Sequence, residues 1–199
     1  MIKDLKAVFH EVRRAWIYIV ITSILFAAAI YIGFTSNEFN ELLRSQVEGL
    51  ESIAQQLNQT ENTQFWVFLF IFLNNAIKAV LIMFAGLFFG LIPLVFIVMN
   101  GMVLGFVFRN ALEQGRDLSV LIVKGILPHG ILEVPAILIA GALGLKLGGL
   151  MWNSLLRRNS RGTLTGFLKS LGKVSVVLVS VLLIAAVIES TVTFWLLKG

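Results

Sequence analysis

A histidine and a glutamate stand four residues apart in an otherwise apolar stretch of this 199-residue chain. His129 and Glu133 would share one face of a helix, because residues four apart are neighbours on a helical surface. Pro128 suits the first turn of a helix, and Gly130 permits an unusual backbone. An imidazole and a carboxylate at this spacing can ligate a metal ion, relay a proton or hydrogen-bond to each other.

Other polar side chains interrupt the apolar stretches. They are Asn74, Asn75, Lys78, Asn100 and Glu189. An ionisable group inside a membrane is costly and is therefore a functional candidate by default. A buried Lys78 would need an acidic partner, which Glu133 or Glu189 can supply. The asparagines are candidates to hydrogen-bond broken backbone near Pro93 and Pro128. Two interpretations stay open: an internal polar cluster that stabilises the fold, and a proton or ion pathway.

The residue types and their spacing give little support for a catalytic site. A stable zinc site usually needs three or four protein ligands, and the chain has two histidines, of which His10 precedes the first apolar run. The chain has no cysteine, so disulfides and thiol nucleophiles are excluded. No serine lies in a G-x-S-x-G setting. We expect no bound metal, no cofactor and no enzymatic activity.

The composition predicts a membrane protein. The chain is 58% hydrophobic and 14% charged, whereas soluble domains are typically about 45–50% apolar and about 25% charged. The net charge of +5 does not indicate a nucleic-acid partner, because the basic residues flank apolar runs and form no stripe on a polar surface. The lipid bilayer is the expected surrounding.

Five helical crossings are predicted, since a helix needs about 20 apolar residues to span a bilayer. They cover 16–34, 65–88, 92–109, 131–152 and 174–197. The first is expected to be an uncleaved anchor, because its apolar run exceeds the roughly 7–15 residues of a signal peptide. The second and third form a hairpin that breaks between Gly86 and Pro93. Before residue 131 we expect a short re-entrant or interfacial helix that breaks at Pro128 and Gly130.

Charged segments predict the orientation. Residues 35–64 carry five glutamates against one arginine, with apolar residues near helical spacing. This pattern indicates an external amphipathic helix that lies on the membrane or a partner, or docks on its own bundle. Residues 153–173 carry five basic residues and no acid. Because basic residues accumulate in cytoplasmic loops, we expect a multi-pass protein of the cell membrane with a cytoplasmic N-terminus and an extracytoplasmic C-terminus.

Glycine pairs at G-x-x-x-G spacing indicate close helix packing. The pairs are Gly86 and Gly90, Gly101 and Gly105, and Gly144 and Gly148. They fit packing inside the bundle or a homodimer seam, and the sequence leaves both possibilities open.

The order of these motifs resembles that of the stage II sporulation protein M family over roughly residues 65–190. The most specific element is P-H-G-x-x-E, a combination that is rare within an apolar run. The matching positions are Asn74, Asn75, Lys78, Gly86, Gly90, Pro93, Asn100, Gly101, Gly105, Pro128, His129, Gly130, Glu133, Pro135, Ala136, Gly141 and Glu189.

The resemblance implies a multi-span membrane protein that acts in sporulation. In endospore-forming bacteria the family takes part in engulfment and septal peptidoglycan thinning. There it anchors a complex with stage II sporulation proteins D and P, which degrade cell wall, and is not itself regarded as the hydrolase. No catalytic residues carry over. We therefore expect a non-enzymatic membrane scaffold for peptidoglycan hydrolases; the alternative is a transporter or channel that uses a buried site at His129 and Glu133.

Overall fold

The computed structural model describes residues 2–59, 61–156 and 161–193, which form helices and no strands. The α-helices are α1 (Ile2–Arg14), α2 (Trp16–Thr35), α3 (Asn40–Asn58), α4 (Thr63–Ala85), α5 (Leu91–Glu113), α6 (Leu118–Val120), α7 (Leu127–Leu156) and α8 (Arg161–Ile188). Two π-helical segments, Leu121–Ile126 and Glu189–Thr193, precede α7 and follow α8.

Five of these helices are long and apolar enough to cross a membrane. The segments are Trp16–Thr35, Thr63–Ala85, Leu91–Glu113, Gly130–Leu156 and Gly162–Thr191. Helices suit this role because every backbone polar group is satisfied within the segment, where lipid offers no hydrogen-bond partner. The predicted all-α membrane fold is confirmed.

Helix α7 is the centre of the bundle. It packs against α2, α4, α5 and α8, while the most extensive helix pair is α2 with α5. The α1 helix packs on α8, and the amphipathic α3 packs on α4 and α5. We call the end of the bundle that carries α1 and the α4–α5 turn the α1 end, and the opposite end the α3 end.

Helix α3 docks on its own bundle. Leu43 is fully buried against Ala29, Met102 and Phe106. The neighbouring Leu42 is 48% exposed, so the docked face of the helix is narrow. Of the interpretations that the sequence left open, docking on the bundle is the one observed.

The backbone has no break at Pro128 or Gly130. The chain is helical from Leu118 to Leu156, and the irregular part is the earlier π-helical segment Leu121–Ile126. The predicted break is therefore wrong. Pro128 is the second residue of α7 and follows directly on the π-helical segment, and the backbone stays helical across it.

The α4–α5 connection is a tight turn at 86–90, as expected from its glycines. Phe89 and Gly90 have positive φ angles of 56° and 79°, and the Phe89 ring packs edge-to-face on Trp152 of α7 with centroids 5.5 Å apart. Pro93, which was predicted to end the break, lies buried in the first turn of α5. The turn is thus fastened to the central helix.

The last crossing begins earlier than predicted. Helix α8 starts at Arg161, and α7 continues to Leu156, so much of the expected loop 153–173 is helical. Phe167 and Leu171 are buried, which explains why the helix extends beyond its apolar run. Residues 157–160 and 194–199, including part of the predicted basic loop and of the last crossing, lie outside the described residues.

All three glycine pairs face helices of the same chain. A Cβ on Gly86 would collide with the backbone of Gly144, and one on Gly148 with the backbone of Gly90. In the third pair, a Cβ on Gly101 would stand 2.7 Å from the Phe26 carbonyl oxygen, and one on Gly105 would collide with α2. The pairs therefore serve packing inside the bundle.

Candidate functional site

A polar cluster joins α4 to α7 inside the membrane-spanning region. The side-chain amide of Asn75 lies beside the carboxylate of Glu133 and stabilises its negative charge. Asn74 in turn donates to Asn75 Oδ1 at 3.4 Å, and the Lys78 ammonium attracts the Glu133 carboxylate. We call these four residues the α4–α7 polar cluster.

The cluster lies near the middle of its crossing. Asn75 is about 18 Å from Thr63 and about 15 Å from Ala85 along α4, at 1.5 Å per residue. The hydrocarbon core of a bilayer is about 30 Å thick. The contact between Asn75 and Glu133 therefore occurs at a depth where an unpaired polar group is costly.

Contrary to the prediction of a buried lysine, Lys78 is not enclosed by the bundle. Its side chain is exposed in a groove of about 480 Å³ between α4 and α5. The groove is lined by Gln46, Lys78, Leu91, Ile92, Val95, Phe96, Met99, Asn100 and Val103. It forms because α4 packs mainly on α7 and α8, whereas α5 packs mainly on α2.

Asn100 lines the same groove but does not bond to the cluster. Its side-chain amide donates to the Phe96 carbonyl oxygen of its own helix at 2.8 Å. Among the hydrogen bonds of the described residues, Asn74 donates to Asn75, and neither of these two asparagines bonds to backbone near Pro93 or Pro128.

Glu189 lies close enough to Glu133 for the two carboxylates to interact electrostatically. It opens the π-helical segment that follows α8. Beside it, Gln64 Nε2 donates to the Ser190 carbonyl oxygen at 3.0 Å and ties α4 to the end of α8. The side chains of Pro128 and His129 lie outside the described residues, so the His129–Glu133 pairing stays a prediction.

A partly buried ion pair at the α1 end was missed by the sequence analysis. Lys146 Nζ lies 3.0 Å from Glu11 Oε2, and the two side chains are 16% and 17% exposed. The ammonium also sits 4.5 Å from the centroid of the Phe167 ring. The available signal was Lys146 itself, a charge inside the apolar run 131–152. The pair joins α1 to α7 at the point where α8 crosses them.

A polar pocket of about 310 Å³ opens at the α3 end between α3 and α5. Its lining is Asn40, Arg44, Val47, Glu48, Phe106, Arg109, Asn110, Glu113 and Gln114. Each arginine pairs with the glutamate four residues on, with both Nε–Oε1 distances at 2.8 Å. Oδ1 of Asn40 is buried and has no hydrogen-bond partner among the described residues. The pocket therefore offers both donors and acceptors to a polar partner.

Among the described side chains, no three His, Asp or Glu residues gather as a metal ion would require. What the α4–α7 polar cluster can do chemically is hold charge inside the membrane, with the Lys78 ammonium attracting the Glu133 carboxylate. What the α3-end pocket can do is bind a polar segment.

Comparison with known proteins shows which family and which relative the chain resembles. The family model described as stage II sporulation protein M matches residues 17–194. A protein of Methanocaldococcus jannaschii, described as uncharacterized, is 31% identical over 176 residues, which cover 88% of this chain and 93% of the relative. No solved structure matches the chain.

Proposed function

The chain belongs to the stage II sporulation protein M family, and on that premise we propose that it is a non-enzymatic membrane scaffold. Its task would be to hold partner proteins at the membrane, and the partners we propose are peptidoglycan hydrolases resembling stage II sporulation proteins D and P. The process would be septal thinning and engulfment during sporulation.

The observation that carries this proposal is the polar pocket between α3 and α5. Its arginines are already matched by glutamates, so the pocket has no excess charge to attract a small ion. The unpartnered Asn40 oxygen suits an N–H donor such as a peptide backbone, because a buried acceptor without a partner costs roughly 1–3 kcal/mol. A polar segment of a partner protein fits both features.

For hydrolases outside the cell, the α3 end would have to be extracytoplasmic. The excess of basic residues at 153–173 and near the N-terminus supports this orientation. Reporter fusions test it: a fusion at the N-terminus should report the cytoplasm and one at the C-terminus the outside. Both reporters on the same side would contradict an odd number of crossings.

Co-purification with candidate hydrolases tests the scaffold role. Deleting residues 38–58 should abolish recruitment, because it removes α3 and half of the pocket. A finer variant, Arg44→Ala with Glu48→Ala, changes two side chains that are 74% and 61% exposed and leaves Leu43 docked. It should reduce recruitment, whereas Arg13→Ala, on exposed α1 surface, should not. Full recruitment by the deletion variant would contradict the mechanism.

A transporter or channel is the second candidate, and the α4–α7 polar cluster favours it. Charged groups near the middle of a crossing often mark ion or proton pathways, and Lys78 opens into the groove between α4 and α5. In reconstituted vesicles, this function would give proton or ion flux that Glu133→Gln abolishes. Flux no greater than in empty vesicles under varied gradients would exclude this candidate.

A further inference from the structure

Two adjoining cavities lie on the face of the bundle where α1 meets α8. A cavity of about 260 Å³ is lined by Val8, Lys169, Ser170 and Lys173. A groove of about 210 Å³ is lined by Val8, Val12, Ile131, Leu132, Pro135, Ala136, Ile139, Val174, Val177, Leu178 and Val181. Val8 belongs to both linings, so the cavity and the groove adjoin along one side of α1.

The groove is wholly apolar and follows the membrane axis. Its α7 wall runs from Ile139 to Ile131 and its α8 wall from Val174 to Val181. At 1.5 Å per residue these walls are about 10–12 Å long. One leaflet contributes about 15 Å of a 30 Å hydrocarbon core, so the groove covers most of the depth of one leaflet.

The lysine cavity lies at the membrane surface of the α1 end. On α8, Phe167 lies half a turn before Lys169, and its ring contacts the Lys146 ammonium of α7. On α7, Lys146 lies half a turn beyond Gly144, which packs against Gly86 at the end of α4. The cavity is therefore level with the α4–α5 turn. Lys169 and Lys173 are four residues apart and exposed on one face of α8.

We propose that these two cavities together form a binding site for one anionic glycerophospholipid in the leaflet beside α1, the lipid cleft. The phosphate is held by Lys169, Lys173 and the Ser170 hydroxyl, and one acyl chain lies in the groove. Basic pockets between membrane helices bind anionic headgroups for this reason. An ammonium has three donors, so Lys173 binds phosphate in addition to its interaction within the protein.

The position of the apolar groove selects a lipid over a free phosphate or a peptide. The groove descends from the lysines into hydrocarbon depth, where the neighbouring Val176 is 68% exposed and Ile131 is 61% exposed. A soluble anion would use only the upper cavity. An acyl chain that enters the groove gains packing contacts with its apolar walls, which a soluble anion cannot make.

Native mass spectrometry of the purified full-length protein in neutral detergent tests the lipid cleft. Phosphatidylglycerol and phosphatidylcholine with identical acyl chains are titrated separately. We expect one phosphatidylglycerol to bind more tightly than phosphatidylcholine. The variant Lys169→Gln with Lys173→Gln should bind it about 25-fold more weakly, because each basic residue contributes about 1 kcal/mol and 1.4 kcal/mol is a factor of ten.

Matched controls separate the cleft from general surface charge. Lys6→Gln removes one exposed charge on α1 outside both cavities and should leave the affinity within about twofold of wild type. Val177→Trp fills the groove and should weaken binding, whereas Val176→Trp, one residue away and facing outward, should not. Glycerol phosphate at the same concentration should fail to displace the lipid.

Three results would overturn the proposal. The first is equal affinity for the two lipids, and the second is unchanged affinity in the double lysine variant. The third is displacement by glycerol phosphate, which would show that the lysines bind a soluble anion without the groove. Because the lysine changes are on exposed surface, that variant keeps the test decisive even if Val177→Trp does not fold.

Discussion

A close backbone contact between α2 and α5 offers a sharp test of how the bundle is held together. Gly105 of α5 faces the backbone of α2, where a Cβ would stand 2.8 Å from the Phe34 nitrogen and closer still to the Ile30 carbonyl oxygen. Ordinary contacts of a Cβ lie at 3.4–4 Å. Gly105→Ala therefore forces α2 and α5 apart along the most extensive helix pair of the bundle, because backbone atoms cannot rotate away as a side chain can.

The magnitude follows from two opposing effects. Overpacking typically costs about 1–3 kcal/mol, and replacing a helical glycine by alanine regains about 1 kcal/mol. The net loss is about 0–2 kcal/mol, which for a chain of this size lowers the melting temperature by up to about 8 °C. The assay is thermal unfolding of the purified protein in detergent, followed by circular dichroism.

The same substitution in open space is the control. Gly166 lies in α8 and a Cβ there would meet nothing within 4 Å, so Gly166→Ala should leave the melting temperature unchanged or raise it. If Gly105→Ala melts at or above the temperature of Gly166→Ala, the α2–α5 backbone contact does not limit stability and the packing argument fails.

Two further predictions concern the charged side chains. Glu133→Ala should lower the free energy of unfolding by about 1–3 kcal/mol, because the Asn75 amide loses its acceptor; Glu133→Gln should lower it less, and wild-type stability of Glu133→Ala would refute the structural role of the cluster. A double-mutant cycle of Glu11→Gln and Lys146→Gln, read by denaturant unfolding, should give a coupling energy of about 0.5–3 kcal/mol. A coupling of zero would mean that the ion pair does not fasten α1.

The crossings could be predicted because lipid imposes a simple requirement on sequence. Runs of apolar residues long enough to span the bilayer are helical, since no other open structure satisfies the backbone there. The hairpin turn near Gly86 and Gly90 was predictable for a related reason, because a positive φ angle such as that of Gly90 is costly for most other residues.

The details at Pro128 depended on local geometry that residue types do not reveal. A proline inside a helix removes one hydrogen bond but need not end the helix, and the backbone stays helical where the π-helical segment passes into α7 at Pro128. Pro135 lies inside α7 and also leaves the helix unbroken. Sequence could indicate that the region is irregular but could not place the irregularity in the π-helical segment Leu121–Ile126.

The charged partners were harder to assign, because pairing depends on which helix faces which. Lys78 interacts electrostatically with Glu133, but the divergence of α4 from α5 leaves Lys78 exposed. Lys146 was overlooked because its acid, Glu11, is 135 residues away on a helix outside the predicted crossings. A charge in an apolar run shows that a partner is needed and does not show where it is.

The groove beside Lys78 forms because α4 and α5 pack against different neighbouring helices. Helix α5 is drawn to α2 by backbone contacts at Gly101 and Gly105, which leave no room for a side chain. Helix α4 is held to α7 by the interaction of Asn75 with Glu133. It is held to the π-helical segment after α8 by the hydrogen bond from Gln64 to the Ser190 carbonyl oxygen. Helices α4 and α5 are joined by the short turn at 86–90 and pack against different neighbours. They therefore diverge toward the α3 end. The exposure of Lys78 is thus a consequence of how α4 and α5 are held, and a variant that weakens the Asn75–Glu133 contact should alter the groove while leaving the α2–α5 seam intact.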